Sequence, residues 1–147
     1  MRRPFPGIVA AALLLCSLPL IANAGPMLDA NTATANELAA LPHMDDELAD
    51  AIVSNRPYAT IGALHEMLAS DLDDEQLEEL YATLFVPIEL NTAEESDIML
   101  IPGVGKRMAH EFEEYRPYST IEQFRREIGK YVDEEEVARL EQYVTLE

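Results

Sequence analysis

The chain repeats itself. Displaced by 60 positions, Leu28 to Leu84 aligns with Ile88 to Val144 without a gap. Asn31-Thr32-Ala33 falls on Asn91-Thr92-Ala93, Pro42 on Pro102, Ala49 on Ala109, and Arg56-Pro57-Tyr58 on Arg116-Pro117-Tyr118. Between these identities apolar positions meet apolar positions, as in Leu38/Ile98, Leu41/Ile101, Met44/Val104, Ile52/Phe112, Leu64/Phe124 and Leu77/Val137. Self-similarity at one fixed period means one structural unit used twice, so any fold assigned to the first copy must also suit the second. The copies run from 25 to 87 and from 88 to 147, with Phe85-Val86-Pro87 as their joint.

Each copy reads as four short helices. Thr32 and Thr92 are candidate N-caps for the first, and Glu95 supplies a capping-box acid in the second copy only. Leu38 and Leu41, like Ile98 and Ile101, sit three apart on one helical face before a proline ends the helix. A second helix is expected from about Glu47 to Asn55 and from Lys106 to Tyr115, closed by Arg-Pro. Thr60 and Thr120 cap a third, ending near Ala69 and Lys130. Asp73 and Asp133 cap a fourth, whose acidic first turn suits the positive end of the helix dipole. No alternating strand of useful length is visible, so the expected class is all-α, as two similar four-helix units.

Residues 1–24 stand apart from this pattern. Arg2 and Arg3, the apolar run from Ile8 to Leu15, Pro19 and the small-x-small end Ala22-Asn23-Ala24 read as a cleaved secretory signal peptide. The apolar run is shorter than the ~20 residues of a spanning helix. A lipoprotein anchor on Cys16 or a twin-arginine signal would depart from the usual patterns at Leu15 and Arg2-Arg3-Pro4-Phe5. The expected location is periplasmic or secreted.

Composition removes several function classes. One Cys, three His and no Trp leave no material for a disulfide framework, a paired-thiol redox site or a Cys/His zinc site. Asp71-x-Asp73-x-Glu75 resembles the start of a calcium loop, but Gln76 stands where glycine is needed and Ala82 where a bidentate glutamate is needed. His43, His65 and His110 have no ligand or catalytic spacing. Tyr58 and Tyr118 are expected to pack the turn against the next helix. No enzyme, cofactor or metal is expected.

The run Ile98-x-x-Ile101-Pro102-Gly103-Val104-Gly105-Lys106-Arg107-Met108-Ala109, preceded by Glu89-Leu90-Asn91-Thr92-Ala93 and followed by Arg116-Pro117-Tyr118-Ser119-Thr120-Ile121, resembles the helix-hairpin-helix domain of the ComEA competence family. The resemblance covers about 60 residues of the second copy and, more weakly, the same length of the first. It implies tandem helix-hairpin-helix repeats and an exported module that binds double-stranded DNA during uptake without sequence preference. Glycines in such a turn let backbone N–H groups face a phosphate at a helix N-terminus. Gly103, Val104, Gly105, Lys106 and Arg107 are therefore the candidate phosphate site, with Val104 plugging the core between the helices. A tight interhelical turn with no ligand is the other reading of the same glycines.

Charge divides the copies. The first holds 13 acids against one base, Arg56; the second holds 15 acids and seven bases. At the position of Gly103 to Arg107 the first copy has His43-Met44-Asp45-Asp46-Glu47, which should repel phosphate. The later hairpin of each copy, where the resemblance again expects two glycines, has Asp71-Leu72-Asp73 and Tyr131-Val132-Asp133. Arg125, Arg126 and Lys130 either gather beside the intact hairpin as a supporting basic patch or form a solvated mixed-charge surface. Two partners stay open: double-stranded DNA at the second-copy hairpin, or a periplasmic protein bound by an acidic assembly module. The latter role is that of the hairpin-containing small extrinsic subunit family of photosystem II.

Overall fold

The computed structural model describes residues 26–147, so residues 1–24, expected to be a signal peptide, and Cys16 lie outside the described residues. The first copy comprises β1 (Leu28–Asp29), α1 (Ala35–Ala39), α2 (Asp46–Ser54), α3 (Ile61–Leu68), α4 (Asp74–Tyr81) and β2 (Leu84–Phe85). In the second these become β3 (Ile88–Glu89), α5 (Glu95–Ile98), α6 (Lys106–Glu114), α7 (Ile121–Ile128), α8 (Glu134–Glu141) and β4 (Val144–Thr145). Every element recurs in the register of the sequence repeat, and the protein is mostly helical.

The described residues are compatible with the expected all-α class, to which short strand pairs are added, while the first-helix caps need correction. Each copy closes with a two-residue parallel strand pair, Leu28–Asp29 on Leu84–Phe85 and Ile88–Glu89 on Val144–Thr145. Two residues are too few to show a period of two, so periodicity could not reveal them. The first-helix caps also shift. Thr34, not Thr32, caps α1, and a capping box with Glu37 completes it. Thr32 instead lies in a turn whose N–H donates to the Asp29 carbonyl. In the second copy Glu94 occupies the cap position and makes no side-chain cap bond, so the box belongs to the first copy. The caps expected at Thr60, Thr120, Asp73 and Asp133 all form.

The repeated Asn and Arg-Pro-Tyr residues tie each copy together. The Arg56 guanidinium donates to the carbonyls of Ala30 (2.6 Å) and Ala33 (2.5 Å), and Arg116 donates to Leu90 (2.6 Å) and Ala93 (2.7 Å). Asn31 donates to the Tyr58 carbonyl and accepts from the Tyr58 N–H; Asn91 does the same with Tyr118. Both Arg-Pro bonds are cis. In each copy the arginine thus satisfies carbonyls of the loop before the first helix, and the asparagine satisfies the backbone of the turn before the third.

Tyr58 and Tyr118 are buried, as the packing role requires. The Tyr58 hydroxyl donates to the Ile52 carbonyl at 2.9 Å. The Tyr118 hydroxyl has no partner, and burial pushes it up to about 12.

One apolar core runs through both copies. Tyr81, Phe85 and Tyr143 stack edge to face at 5.7 and 4.9 Å, and the Tyr143 hydroxyl donates to the Tyr81 carbonyl across the junction. Asp97, in register with Glu37, leaves its own helix start and accepts from the Gly62 N–H at 3.1 Å, at the N-terminus of α3. A methyl group at Gly62 would lie 2.6 Å from that carboxylate oxygen, so a larger residue there would displace the Asp97 side chain.

Replacing Arg116 by Met keeps the aliphatic stem but orphans two carbonyls. The expected loss is about 2–3 kcal/mol in urea unfolding, whereas Arg125→Ala, at an exposed ion pair, should change stability by less than about 1 kcal/mol.

Burial raises the Asp97 carboxyl above its usual range, the Gly62 bond opposes this and Glu94 adds to it. The stability this group contributes is therefore complete below the ordinary aspartate range and lost as pH rises through the raised folded value. Asp97→Asn should compare more favourably with the parent at about pH 7 than at about pH 4, read from unfolding midpoints. A difference that grows on acidification would contradict the assignment.

Candidate nucleic-acid interface

Four turns join the helix pairs, and four helices begin at them: α2, α4, α6 and α8. Three of these N-termini are closed by the chain's own carboxylates. Asp45 accepts from the Leu48 N–H at 2.8 Å, Asp73 from Gln76 at 2.9 Å and Asp133 from Glu136 at 2.9 Å. Their first turns carry further acids: Asp46 and Glu47, Asp74 and Glu75, and Glu134 to Glu136.

The fourth is different. Gly105 caps α6 with no side chain, and the first turn of α6 holds Lys106 and Arg107 and no acid. Gly103 adopts φ +79°, the left-handed region that costs an ordinary residue about 1–2 kcal/mol. Gly105 is not constrained in this way: its φ is −94°, and a methyl group placed on it would meet nothing within 4 Å. Ser, Asp or Asn would fit that position and cap the helix better than glycine. The effect of glycine is to leave the first-turn N–H groups open at the positive end of the dipole, beside two cations. Val104 is buried between the helices, as expected.

Lys106 and Arg107 are exposed, and among the described residues they are the basic side chains with no ion pair or hydrogen bond. The three other expected cations are committed elsewhere. Arg125 chelates Glu141 at 2.7 and 2.5 Å and reaches Glu122 at 3.6 Å. Arg126 and Lys130 both bind Glu127, whose carboxyl they hold below the usual range, and Lys130 also lies over the Tyr115 ring. No contact joins this group to Lys106 or Arg107, and it forms a mixed-charge surface on α7 and the turn after it.

A cation missed from the sequence stands at the turn instead. A Cβ on Gly103 would lie 3.5 Å from Arg139 Nη2, so α8 brings a guanidinium to the glycine turn. Arg139 is held there by Glu136 at 2.7 and 2.6 Å and by the Tyr143 ring. The register could have found it: Gly103 corresponds to His43 and Arg139 to Glu79, and in the first copy those two side chains meet at 2.5 Å. His43 keeps a positive φ of 62°, so the first-copy turn retains the backbone shape while its charges are reversed. His65, on α3, is half-buried and bonds the Tyr81 hydroxyl, while His110 is exposed beside Glu114. Among the described residues no cluster of metal-ligating side chains is present.

Compared with known protein families, with curated proteins and with solved structures, the chain matches none.

Gly105→Asp should close the open terminus as Asp45, Asp73 and Asp133 close theirs. Unfolding should show a gain of a few tenths of a kcal/mol, because Asp caps slightly better than Gly. The same substitution should abolish anion binding at the turn, read by titration with a short oligonucleotide.

Proposed function

We propose that the protein is an exported, non-enzymatic binding protein built from two tandem helix-hairpin-helix units. Its second copy grips double-stranded DNA by the phosphate backbone, without reading sequence, as its resemblance to the ComEA competence family implies. Gly103, Gly105, Lys106 and Arg107 make the contact, Arg139 adds charge behind the turn, and the acidic first copy makes none. A role in DNA uptake outside the cytoplasm follows from the resemblance and from the signal-like residues 1–24.

The observation that carries this reading is the bare N-terminus of α6. Three equivalent helices are self-capped by aspartate, and this one has a glycine where the fold needs none, followed by two unpaired cations. Backbone N–H groups and cations bind phosphate whatever the base, so such a site gives affinity without specificity.

Lys106→Glu combined with Arg107→Glu tests it by electrophoretic mobility shift with duplex DNA at low and physiological salt. Both side chains face solvent, so the fold should survive while binding collapses. In a milder double Ala variant, the slope of log affinity against log salt should flatten by roughly two units, at about 0.9 per phosphate. Asp45→Lys with Asp46→Lys should strengthen binding, because the first-copy turn keeps its backbone shape. Unchanged affinity in both pairs would remove the hairpins from the site.

A further inference from the structure

The junction of the two copies leaves a groove of about 540 Å³ between α4 and the α5–α6 turn. Leu77 and Tyr81 form one side of its floor; Ile101 and Val104 form the other. Asp74 and Glu78 stand exposed on the α4 lip, and Met99 enters from the opposite side with 42% of its surface exposed.

Comparison within the repeat shows that both walls have diverged in the same direction. Met99 and Leu100 occupy the positions of Ala39 and Ala40, so apolar bulk is added only in the copy whose turn faces the groove. On the other wall His65 and Tyr81 occupy the positions of Arg125 and Glu141. In the second copy that Arg–Glu pair lines the equivalent face, a groove of about 810 Å³, with charge; in the first an imidazole and a phenol ring pack 6.1 Å apart. Packing takes up part of the added bulk at Leu100 and leaves Met99 open.

We propose that this groove docks a cationic amphipathic segment of a partner protein, its apolar residues on Met99, Leu77 and Ile101 and its Lys or Arg side chains on Asp74 and Glu78. Charge complementarity selects that occupant. The sole base of the first copy, Arg56, is committed to two backbone carbonyls, so the free charges this copy presents are carboxylates. A second molecule of the same acidic chain would bring carboxylates to carboxylates, and a phosphate backbone offers no apolar side chain to Met99. Apolar anchors flanked by a complementary charged rim are the recurring form of helix-in-groove recognition. The proposal does not depend on the DNA reading, although Gly103 and Gly105 line one wall of the groove.

The test is fluorescence anisotropy of a labelled peptide with Leu and Lys at helical spacing, titrated with the full chain at physiological salt. Saturable binding is expected, weakened roughly tenfold or more by Met99→Glu and by Asp74→Lys with Glu78→Lys, both at exposed positions. An all-Lys peptide of equal charge should bind at least about tenfold more weakly. Equal binding of the all-Lys peptide, or no effect of either variant, overturns the groove. Methyl labelling of methionine in the unmutated protein gives an independent reading: the peptide should shift Met99 and leave Met27 in place. A Met99 resonance that stays fixed, or that moves instead with duplex DNA or with protein concentration alone, also overturns it.

Discussion

The fold depends on two arginines that the chain turns onto its own backbone. Arg56 and Arg116 each turn a guanidinium inward onto two carbonyls of the loop that leads into the first helix of their copy. Those loops carry backbone groups that belong to no helix, and an unsatisfied buried carbonyl is costly. Guanidinium suits the task because its planar fork offers several donors at fixed angles to acceptors a few residues apart. With the loop held, β1 and β3 reach the strands that close each copy, and the chain's return to its own start is fixed. The four helices between are then confined to one path.

This explains which features were legible in the sequence. The register gave the copies, the helix order and most caps, because a cap is a local contact between a side chain and an N–H three residues on. Thr34 was missed because Thr32 belongs to the repeated Asn-Thr-Ala run, yet that run serves a turn and not a helix start. Arg56 and Arg116 were read as helix-stopping Arg-Pro pairs. Their bonds span 23 to 26 residues, and no window of periodicity contains such a contact. Asp97 was hidden for the same reason: its partner lies in the other copy.

The candidate site was half visible. Gly103, Gly105, Lys106 and Arg107 are contiguous, so the sequence placed them together, and Val104 followed from its apolar register. Arg125, Arg126 and Lys130 are close in the chain, but close carboxylates claim them first. Glu127 is near them in sequence, whereas Glu141 was counted only as bulk acidity, and both are specific partners. Arg139 is distant in sequence and comes to the glycine turn only because α8 packs there.

Net charge is a poor guide to what such a surface binds. The formal charge of −18 sums groups spread over the whole chain, and at ~0.15 M salt charges separated by more than about 8 Å are largely screened. What a phosphate meets at the α6 terminus is set by Lys106, Arg107, Arg139 and the open N–H groups. What a peptide meets across the groove is set by Asp74 and Glu78. The duplication made this division possible. One backbone shape, repeated with a positive φ at both His43 and Gly103, holds acids in one copy and cations in the other, so a single small core carries two chemically opposed faces.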